Sequence, residues 1–152
     1  MANITKLIAG TAITTVMSAD LNALGNGSSV LSTTVVDNST NLDLVNNWEL
    51  VITSTSSMTA NTVMSMWLVV SIDGTNYAEG TSANAAQPSM WWGDFEIPRA
   101  ANSFRLALVG GKSCPLFLPP LKFKPLIKNG SGQALLSVNT LKLITHNFNN
   151  NG

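Results

Sequence analysis

The chain has 152 residues, with eight Lys and Arg balancing eight Asp and Glu, and only 11% of its residues are charged. That length fits a single domain, and zero formal charge excludes a globally basic nucleic-acid binder. With 45% hydrophobic residues but no run of about 18 apolar ones, it is neither a disordered polar tract nor a helical membrane protein.

Residues 1–19 read as an extended N-terminal arm or first strand. Lys6 followed by Leu7 to Ile13 resembles a secretory leader only faintly, because Thr11, Thr14 and Thr15 dilute the apolar stretch. An uncleaved segment made in the cytoplasm is expected. Residues 19–24 are the single short helical candidate, followed by turn residues at Gly25-Asn26-Gly27 and Asp37-Asn38-Ser39.

From there the apolar period is two. Trp48, Leu50 and Ile52 alternate with Glu49, Val51 and Thr53. Met64, Met66, Leu68, Val70 and Ile72 form one face of a strand whose other face carries Val63, Ser65, Trp67, Val69 and Ser71. Such alternation puts one face on a core and the other toward water. Asp73-Gly74-Thr75-Asn76 ends that strand, and residues 80–87 form a small polar loop.

Trp91 and Trp92 are adjacent, so on a strand one indole enters the core and the other faces out. An outward indole can anchor a protein interface or stack on a sugar ring. Asp94 and Glu96 share a face while Phe95 and Ile97 point inward, a pattern of exposed polar alternation rather than an acid/base pair. Phe104, Leu106 and Leu108 alternate with Arg105 and Ala107 before a Gly110-Gly111 turn.

Cys114 is the only cysteine and His146 the only histidine, which excludes an intrachain disulfide and a zinc site of about four Cys or His ligands. His146 is expected to point at solvent.

In Lys122-Phe123-Lys124-Pro125-Leu126-Ile127-Lys128 the lysines alternate with apolar residues. A nucleic-acid groove has that interleaving, but Pro125 favours an edge strand guarded by outward lysines. Asn129-Gly130-Ser131-Gly132 makes a turn, Leu141 and Leu143 alternate with Lys142 and Ile144, and residues 147–152 should fray unless a partner holds them.

Roughly seven to nine short strands at intervals of about ten to fifteen residues predict an all-β fold. The expected architecture is an antiparallel β-sandwich, jelly-roll-like, over residues 20–146, with an N-terminal arm and at most one short helix. No catalytic residue, metal or cofactor is expected.

Three stretches carry a family resemblance. They are Val36-Asp37-Asn38-Ser39-Thr40-Asn41-Leu42-Asp43-Leu44, then Ser71-Ile72-Asp73-Gly74-Thr75-Asn76-Tyr77, then the run from Leu118-Pro119-Pro120 through Asn129 and Gly132-Gln133-Ala134 to Asn139-Thr140-Leu141-Lys142-Leu143. In this order and spacing the chain resembles small virion structural proteins of tailed bacteriophages. Within that class a compact jelly roll is similar to capsid decoration or cement proteins, which sit as dimers or trimers on the shell and bridge its subunits.

The resemblance implies location in the virion after synthesis in the host cytoplasm, with the major capsid protein and further copies of itself as partners. It implies no membrane and no specific nucleic acid. Candidate interface residues, chosen by chemistry, are Ile4, Leu7 and Ile8 on the arm, Trp91 and Trp92, and Lys122, Lys124 and Lys128. The alternatives are a tail or head–tail connector component, or a carbohydrate-binding sandwich using an exposed Trp and the abundant Asn side chains.

The neutral total conceals a segregation. All eight acidic residues lie at or before Glu96, where Lys6 is the only base, and the other seven bases follow from Arg99. An acidic and a basic segment on one small domain invite contacts of opposite sign between copies or with a shell.

Overall fold

The computed structural model describes residues 4–9, 13–80, 86–109 and 118–151. Cys114, the Gly110-Gly111 turn and most of the 80–87 loop lie outside them, as do the side chains of Ile4, Leu7 and Ile8.

Period-two alternation becomes ten strands among the described residues: β1 (Ile4–Ala9), β2 (Thr14–Met17), β3 (Ser29–Leu31), β4 (Val36–Asp37), β5 (Val45–Thr53), β6 (Thr62–Ser71), β7 (Trp91–Ile97), β8 (Ser103–Val109), β9 (Lys122–Asn129) and β10 (Thr140–Asn151). All pairings between them are antiparallel. The first sheet runs β1-β10-β5-β8, with β2 also on β10; the second runs β3-β9-β6-β7, with β4 also on β9.

Because β1 and β2 share one flank of β10, and β3 and β4 one flank of β9, each pair behaves as a single interrupted strand. Eight strand positions result, four per sheet, and the chain changes sheet at every connection between them except the one from β6 to β7. That is the jelly-roll order, and the chain is an all-β sandwich. Single 3-10 turns occupy Ala19–Leu21, inside the predicted helical segment, and Pro88–Met90, which sequence reasoning did not foresee.

The core follows the alternation. Trp48, Leu50 and Ile52 of β5, Phe104, Leu106 and Leu108 of β8 and Leu141 and Leu143 of β10 meet Met64, Met66 and Leu68 of β6, Phe95 of β7 and Phe123 and Ile127 of β9. Ile72 leaves the pattern: it lies beyond the strand end, 87% exposed.

Beyond Ile72, four expectations about the sheets need correction. The β9 segment is not an edge, for β6 flanks it on one side and β3 and β4 on the other. The Pro125 carbonyl accepts from the Ser32 N–H at 2.8 Å, so its missing N–H would have faced the same flank. That flank is interrupted between Leu31 and Val36, which lets an interior strand tolerate proline.

Second, the chain end is not free: β10 continues to Asn151, pairing Asn147 with Ile8 and Asn151 with Ile4. The arm and the tail hold each other. Third, Val69 does not face water. With Leu126 and Ala86 it forms a second buried cluster on the outer side of the second sheet, against which Leu31, Trp67, Tyr77 and Met90 pack.

The fourth correction concerns Trp92, which is only 5% exposed and belongs to the main core. The pairing of β6 with β7 slips there, Met66 standing opposite Gly93 but Trp67 opposite Trp91. Trp92 is the extra residue of this bulge and turns inward. Gly93 leaves room beside it, since a Cβ there would come within 3.0 Å of the Leu108 side chain.

Asparagines fasten the corners of the sandwich. Asn129 donates to the Leu24 and Gln133 carbonyls at 2.9 and 2.8 Å and accepts from the Ser131 N–H and hydroxyl at 3.0 and 2.7 Å. Asn38 donates to the Asp43 and Pro119 carbonyls and accepts from the Asp43 N–H at 2.8 Å. Asn139 accepts from the Thr53 N–H at 2.8 Å, and Asn46 from the Trp48 indole at 2.7 Å.

Candidate interaction surface

Strand register fixes what the outer face of the second sheet displays. At one level Ser29 of β3, Lys128 of β9, Ser65 of β6 and Asp94 of β7 stand in a row. One level to one side, Val63 faces Glu96; one level to the other, Leu31, Leu126, Trp67 and Trp91 cross the sheet as an apolar row. Beyond that row Val69 stands beside Lys124, and Ser71 beside Lys122.

This face therefore gathers Trp91, Lys122, Lys124 and Lys128, four of the residues the sequence pointed to. It does not gather the rest. Trp92 is inside, and Ile4, Leu7 and Ile8 belong to β1 at the margin of the other sheet.

The three lysines have different surroundings. Lys122 lies 3.6 Å from Asp37, which its register partner β4 supplies. The Ser39 hydroxyl and then the Ser39 N–H hold the Asp37 carboxyl below its ordinary range, with Lys122 adding to them. Lys124 lies 4.8 Å above the Tyr77 ring, a cation–π contact. Lys128 is exposed and takes part in no ion pair among the described residues. On the acidic flank, the Trp91 indole donates to Asp94 at 3.1 Å, and Glu96 is exposed.

The first sheet displays a self-contained outer face. Arg105 of β8 donates to Glu49 of β5 at 2.7 Å and Lys142 of β10 lies 3.5 Å from the same carboxylate. The Arg105 hydrogen bond, aided by both positive charges, holds Glu49 below its ordinary value. His146, expected in solvent, is half-buried, with its Nδ1 enclosed and without a hydrogen-bond partner among the described residues.

Other polar clusters serve structure. Asp73 accepts from the Asn76 and Thr75 N–H groups at 2.7 and 2.8 Å, from the Asn76 side chain at 2.7 Å and from Ser71 at 3.1 Å. These donors push its carboxyl far below the usual carboxylate range. Asp43, buried beside a cleft of about 160 Å³, accepts from Thr145 at 2.5 Å. No three His, Cys, Asp or Glu side chains gather among the described residues.

Sequence reasoning missed how the acids of β7 and the lysine of β9 share one face. The alternation gave the phase of each strand, but only the register sets Lys128 and Asp94 at the same level. No protein-family model matches the chain, and no curated protein or solved structure matches it.

Proposed function

We propose that the chain is a structural protein of a tailed-bacteriophage particle, a decoration or cement protein that lies on the capsid and bridges neighbouring shell subunits. The observation that carries this reading is the outer face of the second sheet. On it half-buried Leu31, Trp67 and Trp91 form an apolar row with charged residues on the levels to either side, the apolar centre and polar rim of a protein interface. Double-sheet jelly rolls recur in viral capsid domains, which adds support by analogy of fold alone.

The motifs behind the resemblance have structural work in this chain. Asp73-Gly74-Thr75-Asn76 is a turn held by one carboxylate, and Asn38 and Asn129 fasten corners. They serve the scaffold of this chain, and the proposed role rests on what that scaffold displays. Four asparagines, Asn38, Asn46, Asn129 and Asn139, are buried and so are not available to a sugar site.

Cementing acts by additive burial over many symmetric copies, each interface excluding water around a few anchors. Particles assembled without the protein are expected to release their genome at a lower temperature than complete ones, and adding purified protein back should restore the difference. Equal release temperatures would refute the cementing role.

A further inference from the structure

We propose that a cleft beside Trp92 binds a small, neutral, largely apolar molecule that offers one carbonyl-type acceptor to the Trp92 indole N–H. This ligand chemistry stands whatever particle the protein serves.

An indole N–H can only donate, and a buried one ordinarily rests on an acceptor. Trp48 donates to Asn46 at 2.7 Å, and Trp91 donates to Asp94 at 3.1 Å. Trp92 is more deeply buried than Trp91, yet its Nε1 is enclosed with no hydrogen-bond partner among the described residues. The β7 bulge accounts for this, because it turns Trp92 into a core of apolar side chains. An enclosed donor without a partner is costly, so an acceptor brought from outside is rewarded there.

Trp92 also lines a cleft of about 350 Å³, at the small end of the range for small-molecule sites. Leu68 and Val70 of β6, Met90, Trp91 and Pro119 supply the rest of its apolar wall. Leu68 and Trp92 belong to the main core and Val70 packs against it, so the cleft reaches between the sheets rather than across an outer face. Ser89 adds one exposed hydroxyl, and no charged side chain lines the cleft among the described residues.

These walls select the occupant. An ion would lose its water there and meet no opposite charge. A sugar would bring many hydroxyls to one indole and one serine. A compact apolar body with a single acceptor matches both the wall and the N–H, and an aryl ketone is its simplest form. Because the nitrogen is enclosed, engaging it needs a small shift in the wall. Met90, unbranched and half-buried, is the lining residue that adapts most readily.

Acetophenone and α-methylstyrene test this on the isotope-labelled full chain. They share size and shape, with about nine heavy atoms each, and differ in a carbonyl oxygen against a methylene. The readout is the Trp92 indole N–H resonance, identified by its loss in Trp92→Phe. Acetophenone is expected to bind at about millimolar or below, the range for so small a ligand, and to move that resonance downfield as the hydrogen bond forms. α-Methylstyrene should bind about tenfold more weakly, because it leaves the donor unpaired.

Trp92→Phe keeps an aromatic body and should bind the two probes alike. If its amide spectrum shows that it fails to fold, the wild-type comparison decides alone, with the resonance assigned through the Trp92 backbone. No saturable shift at about 10 mM acetophenone would overturn the proposal, a concentration well above the range for such a ligand. So would equal affinities for the two probes, a response at the Trp91 indole in place of Trp92, or a Trp92→Phe protein that still prefers the ketone. None of these results bears on where the protein sits in a particle.

Discussion

Asn129 shows what this composition is for. Its amide donates to two carbonyls and accepts from Ser131 twice, with no solvent exposure, tying residue 24 to the turn after β9. Asn129→Ala strips those partners at once and is expected to lower the unfolding free energy by about 3 kcal/mol in urea titrations, the range for several buried groups left unsatisfied.

Asp73 makes a contribution that depends on pH. Its carboxyl titrates below the ordinary 3.8 because four groups donate to the charged form. A carboxylate depressed in the folded state stabilises it above the unfolded pKa and loses that effect as pH falls through the folded value. Asp37 and Glu49 act in the same direction from 3.8 and 4.5. The urea midpoint is therefore expected to hold steady at neutral pH and to fall from about pH 4.5 downward. Asp73→Asn should show a shallower fall, its carbonyl still accepting while its charge is gone; an unchanged acid slope would remove Asp73 from the account.

At the scale of elements, the strands were legible because alternation needs only the chain itself. Trp48, Leu50 and Ile52 point inward as their spacing required, as do Phe104, Leu106 and Leu108. What pairing decides was not legible. Pro125 reads as an edge signal, yet its missing N–H falls where the neighbouring strand is broken. Trp91 and Trp92 were correctly set on opposite sides, but which one turns in depends on a bulge against β6.

The tail misled for the same reason. Six residues of Asn, Phe and Gly carry no strand pattern, and the partner lies at the far end of the chain. Removing residues 147–152 is expected to abolish hydrogen-exchange protection of the Ile4–Ala9 amides while those of β5 stay protected. Retained protection in β1 would mean that another partner holds it.

At the scale of the molecule, the neutral total charge is a sum of segments that the jelly-roll order interleaves. Strands from the acidic first part and the basic last part alternate across the first sheet, where β5 lies between β10 and β8; in the second, β9 lies between β4 and β6 while β7, also from the acidic part, adjoins β6. The internal ion pairs follow from that order. So does the placement of Lys128 level with Asp94, on either side of Ser65, on the outer face of the second sheet. A domain of this kind carries little net repulsion between copies and a patterned face, which suits dense, repeated placement on a surface.

The central claim is tested most directly by locating and counting the protein in purified particles by cryo-electron microscopy at resolution sufficient to trace the sandwich. The account predicts the domain on the outside of the shell in hundreds of copies, each spanning neighbouring capsid subunits. A small fixed number of copies at the tail or the portal vertex, or none on the particle, would contradict it.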